Sequence, residues 1–309
     1  MGYIDKFASA TRKVMHKIHL KQIIDSGSKK RIQANLTSPN YLKLPEDFFV
    51  QRICVDLGCG SNAAGAANLL RIGAKFVNLV DVDQSFIEPA STVLNETKSF
   101  KGRWKTYVAD ATQLPFETGS IDFVLCQGVL HHIDNEKAAL SEIFRVLSPN
   151  GKCYISVIGS GGLVGEFVSK TMRDEYKKNL IFRNFINKKL NLKDIHQLLN
   201  DIKNKITNDN SESYIQTQIF LDSLTKLIDN DLLLTIEDRV LAPIYRQSTE
   251  SEYLEKLKEA GFTSSYRVSK CPDFSNIRKI VAPFYKDYTH PIAKILFGDG
   301  GSMNFVVSK

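Results

Sequence analysis

At 309 residues, 43% of them hydrophobic and with a net charge of +7, the chain has the length for one large domain with an insertion, or for a domain and a small cap. No uninterrupted apolar stretch approaches the roughly 18–20 residues of a membrane span, and neither a secretory core nor a myristoylation signal is present, Lys6 standing where the latter requires Ser or Thr. The five cysteines (Cys54, Cys59, Cys126, Cys153, Cys271) form no C-x-x-C pair, and three fall in expected core strands; reduced, buried thiols in a cytoplasmic protein are expected, not disulfides or a metal site.

Charge is unevenly placed. Residues 1–31 carry eight Lys/Arg against two Asp/Glu, and residues 170–206 carry ten against four. Two basic stretches therefore flank an acidic body, which fits either an anionic substrate or nucleic acid, or else the solvated faces of surface helices.

In chain order, Ile4, Phe7, Val14, Ile18 and Gln22 recur near helical spacing with Lys and His between them, which predicts an amphipathic helix over residues 3–24 that packs on the body as a lid. Ser26–Lys30 is a polar break. Arg52–Asn62 reads R-I-C-V-D-L-G-C-G-S-N: a buried strand ending in an acid and opening into a turn whose Gly58 and Gly60 let backbone approach a ligand. The Asp56 carboxylate must face either buried amides or a positively charged ligand. Ala63–Ile72 reads as helix, so the turn sits at a helix N-terminus, where free N–H groups attract anions. A second strand, Phe76–Val80, ends at Asp81, and Asp83 is placed to cap a helix over Gln84–Asn95. Arg103–Ala109 forms a third strand before Asp110-Ala111, and Ile121–Cys126 a fourth that runs into Q-G-V-L-H-H-I. In a helical turn the adjacent His131 and His132 diverge by roughly 100°, so they are not expected to share one role. Glu136–Leu147 is helix and Lys152–Ile158 a fifth strand.

The glycine turn, with a strand ending in acid about 25 residues later, then Asp110-Ala111, L-P-F and the strand Ile121–Cys126, resembles the class I S-adenosylmethionine-dependent methyltransferases over Ile53–Val157, in the manner of the type 11 methyltransferases. The resemblance implies a Rossmann-like seven-stranded α/β sheet of order 3-2-1-4-5-7-6, its seventh strand antiparallel, with helices on both faces. It implies S-adenosyl-L-methionine as cofactor, with Asp56, Gly58, Cys59, Gly60, Asp81, Val82, Asp110, Ala111 and Gln127 around it. Asp81 would bind the ribose, since one carboxylate can accept from two vicinal hydroxyls, and Asp110 the adenine amino group. Asn62 departs from the family, which has a third glycine there; Asn tolerates left-handed backbone, so the turn can survive.

Beyond Gly159-Ser160-Gly161-Gly162 the pattern breaks into about 85 residues of successive helices, basic at first, the place of an acceptor lid in the resembling enzymes. Ser248–Gly261 is a capped helix, Phe262–Ser269 a sixth strand and Met303–Ser308 a seventh. Lys270–Gly301 reads as a long loop whose Tyr285, Tyr288 and His290 either line an acceptor pocket or pack the loop down. The expected domains are a helical cap (1–50), a core (51–160), a helical insertion (161–247) and the C-terminal part of the core (248–309).

A sulfonium methyl is already activated, so such an enzyme needs to align its reactants, exclude water and, for a hydroxyl or protonated amine, supply a base. His132 is the expected catalytic residue, His131 the second choice. The expected reaction is methyl transfer to an oxygen or nitrogen of a small-molecule or sugar acceptor. L-P-F followed by L-H-H also resembles tRNA-modifying relatives, so a nucleic-acid acceptor is the alternative, and a non-catalytic cofactor-binding protein the third reading.

Overall fold

Short apolar strands alternating with amphipathic helices bury themselves best as a parallel sheet covered on both faces. The chain does so in the computed structural model, which describes residues 12–206, 211–270, 274, 276–299 and 301–309. The strands are β1 (Ile53–Leu57), β2 (Phe76–Asp81), β3 (Trp104–Val108), β4 (Ile121–Gln127), β5 (Leu147–Ile158), β6 (Ser264–Val268) and β7 (Ser302–Ser308). Their order is 3-2-1-4-5-7-6. The first five pair in parallel, and β7 runs antiparallel to both β5 and β6, as the sequence leads one to expect. The order reverses between β1 and β4, so their C-terminal ends open the crevice where sheets of this kind hold ligands.

Successive β1 side chains serve opposite cores: Val55 joins Val124, Ile155 and Phe305 on one face, Cys54 joins Leu69, Phe123 and Tyr154 on the other. Cys54, Cys59, Cys126 and Cys153 are buried and unpaired; Cys271 lies outside the described residues.

Two N-terminal helices, α1 (Lys17–Ile24) and α2 (Ser26–Ala34), follow a single wide turn over Arg12–His16; residues 3–11 of the expected helix lie outside the described residues. Asp25 separates them: its N–H ends α1 on Lys21 O, and its carboxylate starts α2 by accepting from Ser28 N at 2.7 Å. The core helices are α3 (Ala64–Arg71), α4 (Gln84–Asn95) and α5 (Glu136–Val146); Asp83 caps α4 by accepting from Ser85 N, as expected. The insertion forms α6 (Met172–Lys178), α7 (Leu180–Lys189), α8 (Leu192–Lys205), α9 (Glu212–Leu227) and α10 (Asn230–Leu241), and α11 (Glu250–Glu259) carries a capping box between Thr249 and Glu252.

The segment expected to be a long loop instead holds α12 (Arg278–Lys286) and α13 (Pro291–Phe297). The local signal was present: proline suits the first helical turn, and His290 caps Ile292 N. His290 thus starts a helix, and Tyr288 lies under the Arg267 guanidinium at 3.7 Å, so these two pack the segment down; neither lines either of the two cavities described below.

Asp231, 2% exposed, ties three parts of this cover. Its carboxylate accepts from Ser28 Oγ (2.8 Å) and Arg31 Nε (2.9 Å) on α2 and from the Arg278 guanidinium on α12. Burial opposes ionisation of this acid, but Arg31 and Arg278 outweigh it and hold its pKa below the usual carboxylate value. The stability it contributes is therefore present above about pH 4 and is lost as pH falls through the lowered native value. Removing one partner of a buried ion pair costs about 3–5 kcal/mol. Asp231→Ala is accordingly expected to lower the thermal midpoint strongly and to expose α1 and α2 to limited proteolysis, and its midpoint should fall less than that of the wild type on acidification from pH 5 to pH 3.

Candidate functional site

The glycine turn is held from two sides. Gly58 N and Cys59 N donate to Val80 O at 2.8 and 3.1 Å, bonding the turn to the end of β2. The neighbouring acid, Asp81, completes the attachment: Oδ2 accepts from Gly60 N at 3.0 Å and Oδ1 from Val82 N at 2.8 Å. Its burial raises its pKa to about 6, the amide hydrogen bonds opposing the rise. Asp56, 5% exposed, accepts from Ala66 N at 2.7 Å in the first turn of α3; burial, assisted by the charge of Asp81, raises it to about 7. Of the two partners expected for Asp56, the structure selects buried amides. Asn62 is not the left-handed residue: Ala63 takes φ 47°, and Asn62 Oδ1 accepts from Ala64 N at 2.9 Å, so its side chain closes the turn.

Beside this turn lies a cavity of about 420 Å³, within the range of small-molecule sites. Gly58, Asp81, Val82, Asp110, Ala111 and Gln127 meet in its wall, whereas Asp56, Cys59 and Gly60 do not line it. Asp110 Oδ1 is used by Thr112 N and Oγ1 at 2.8 and 2.7 Å; Oδ2 makes no hydrogen bond among the described residues. The roof comes from elsewhere: Met15 and His19 from the N-terminal segment, Phe86 from α4, and Pro243 and Ile244 from the end of the insertion. The His19 ring stands 5.2 Å from that of Phe86, and burial keeps it neutral by lowering its pKa.

A second cavity, of about 360 Å³, opens from the first: Met15, His19, Gln127, Gly128 and His132 line both. Gly128 (φ 77°) has nothing within 4 Å of where a Cβ would stand, which leaves the junction open. At this junction His132 Nδ1 lies 2.6 Å from Ile244 O. A carbonyl can only accept, so Nδ1 carries the proton and the lone pair of the neutral ring is on Nε2. His131 is 5% exposed and its Nδ1 has no hydrogen-bond partner among the described residues; burial, then the neighbouring His132 and Arg239, hold its pKa well below the ordinary value. The two rings do not diverge as expected: the tight turn Leu130–His132 leaves their centroids 4.1 Å apart. Only His132 reaches the first cavity, while His131 faces the second.

Sequence reasoning missed Met15, His19, Phe86, Arg239, Ile244 and Tyr245 as lining residues. Their one local sign was His16 and His19, three apart and so on one face of a helix.

Residues 55–155 match the model of a family described as a methyltransferase domain. An uncharacterized protein of Methanocaldococcus jannaschii is 33% identical over 122 residues, 39% of this chain and 45% of that protein. Phosphoethanolamine N-methyltransferase 2 of Caenorhabditis elegans is 29% identical over 154 residues, 50% of this chain and 32% of that one. The chain thus spans less than half the length of these curated relatives. The solved structure of Burkholderia thailandensis 1,6-didemethyltoxoflavin-N1-methyltransferase, with 1,6-didemethyltoxoflavin and S-adenosylhomocysteine bound, superposes with a TM-score of 0.50 at 15% identity, covering 100% of this chain and 91% of that one. Residues 55–155 thus match a methyltransferase domain, and the chain shares the fold of that solved structure.

The turn makes a quantitative demand on its glycines. A Cβ at Gly58 would stand 2.3 Å from Val129 Cγ2 in addition to straining φ 72°, whereas at Gly119 (φ 75°) it would meet nothing. Gly119→Ala should cost about 1 kcal/mol, and Gly58→Ala about 1–3 kcal/mol more. Denaturant midpoints of the two variants measure the difference.

Proposed function

We propose, on the premise of the methyltransferase domain at residues 55–155, that this chain binds S-adenosyl-L-methionine in the first cavity and transfers its methyl group to an oxygen or nitrogen of a small-molecule or sugar acceptor in the second. The observation that carries the reading is His132, lining both cavities with an imidazole whose protonated nitrogen is committed to Ile244 O.

The first cavity suits the cofactor. Asp81 lines the cavity and accepts from Gly60 N on Oδ2 and from Val82 N and Asp83 N on Oδ1, which leaves acceptor capacity on Oδ2 for a ribose hydroxyl. Asp110 Oδ2 is available to accept from an adenine amino group, with Val82 and Ala111 beside the ring. Gly58 and Gln127 would border the methionine part. When bound, S-adenosylmethionine supplies an electrophilic methyl group on a sulfonium.

The residues of the chain do the rest. Met15, His19, Phe86 and Ile244 cover part of the cavity, and the shared wall holds the two ligands in register, which in well-aligned cases accounts for about 7–11 kcal/mol of a barrier. His132 Nε2 takes the proton of the acceptor hydroxyl or amine. His131, kept neutral by burial, lines the acceptor side. The small, roofed second cavity favours a compact acceptor over a nucleic-acid chain. Four buried, unpaired cysteines fit a reducing, cytoplasmic setting, and among the described residues no helix is long and apolar enough to cross a membrane.

Transfer of labelled methyl groups to a panel of hydroxyl- and amine-bearing metabolites and sugars tests the reading. With any acceptor so found, His132→Asn should lower kcat by about 10²- to 10⁴-fold, with S-adenosylhomocysteine affinity changed by no more than a few-fold. Wild-type kcat in that variant would remove His132 from the mechanism.

A further inference from the structure

The second cavity is polar and carries unbalanced positive charge. Arg31, Arg239, Lys270 and Arg278 line it, against Asp238 alone. Asp231, buried behind the wall, is shared between Arg31 and Arg278 and leaves the other two cations without a carboxylate. The Arg239 guanidinium makes no hydrogen bond or ion pair among the described residues, although it is half-buried. The Lys270 ammonium gives one hydrogen bond, to Leu36 O at 2.9 Å, and stands 4.5 Å over the Tyr41 ring. Burial without a counter-ion lowers its pKa to about 8.

Desolvated cations with donors to spare are costly unless something supplies the missing charge. The buried histidines add no further positive charge, since burial holds His19 and His131 neutral. The cavity also offers neutral hydrogen-bonding groups, the Tyr41 and Tyr154 hydroxyls, 3.3 Å apart. These surroundings are those of a bound anion with a polar body, not of an apolar guest.

We propose that the acceptor is a small organic anion whose carboxylate or phosphate is anchored by Arg239, with Lys270 as the second positive charge, and whose methyl-accepting atom lies toward His132. This rests on the reading of the adjoining cavity as the donor site. It separates the cavity cations from the exposed lysines Lys177, Lys178, Lys188 and Lys193 of α6 to α8, which take no part.

The test is calorimetric titration of inorganic phosphate and of acetate into protein saturated with S-adenosylhomocysteine, with glycerol as a neutral probe. Arg239→Gln, Lys270→Gln and the surface control Lys188→Gln are compared with the wild type. Phosphate or acetate should bind the wild type and Lys188→Gln alike, about ten-fold or more weaker to Arg239→Gln and several-fold weaker to Lys270→Gln, glycerol giving no heat. Arg239→Lys should recover part of the loss. S-adenosylhomocysteine affinity, measured in each variant, shows that the fold and donor site are intact. If it binds throughout but neither anion binds the wild type, or Lys188→Gln weakens the anions as much as Arg239→Gln, the anionic acceptor is overturned. If S-adenosylhomocysteine does not bind the wild type, the donor-site reading fails, and the proposal with it.

Discussion

The hydrogen bond from the Gly60 amide to the Asp81 carboxylate, 3.0 Å long and buried, is the tie on which the geometry of the site depends. It joins the turn after β1 to the end of β2. Together with Gly58 N and Cys59 N on Val80 O, it fixes the glycine turn as part of the sheet edge. Burying a carboxylate without partners would be prohibitive; Asp81 and Asp56 are tolerated because each takes backbone amides that a tight turn and a helix start leave unsatisfied. The two acids thus have different tasks, Asp56 fixing the start of α3 and Asp81 holding the turn while lining the cavity.

The cover over that edge is assembled from distant segments by polar ties. Asp231 clasps α2 and α12 to α10, and Lys21 on α1 pairs with Glu237 at 2.8 Å. Through these ties the N-terminal helices bring Met15 and His19 over the first cavity, and the end of the insertion brings Ile244 against His132. The tautomer of His132 is therefore set by a residue 112 positions away. Such a device is not visible in any local motif, and it makes the orientation of His132 depend on the docking of the insertion.

What was legible in the sequence follows from this division. Strands such as Ile53–Leu57 and Phe76–Asp81 announce themselves because each is an apolar run ended by an acid, and parallel strands buried on both faces have to read that way. Asp81, Val82, Asp110, Ala111 and Gln127 sit at or just past the C-terminal ends of strands, so position alone places them at the cavity. Asp56 was expected either at buried amides or at a charged ligand, and its carboxylate accepts from Ala66 N; sequence does not tell which side of a turn a carboxylate faces. Ala63 took the left-handed angle expected of Asn62 because the Asn side chain was needed to close the turn. His131 and His132 were found, but their contact was not, as a tight turn packed against Tyr245 overrides helical spacing. Arg239, Ile244 and Tyr245 left no signal, because their role arises only when the insertion packs back on the sheet.

The central claim is that the first cavity is the donor site and that Asp81 holds the ribose in it. Calorimetric titration of S-adenosylhomocysteine into the wild type and Asp81→Ala tests it most directly. The account predicts binding to the wild type that weakens by about 10- to 150-fold in the variant, as expected for losing a charged acceptor of two hydrogen bonds. Equal affinity in the two proteins, or no binding to the wild type, would contradict it.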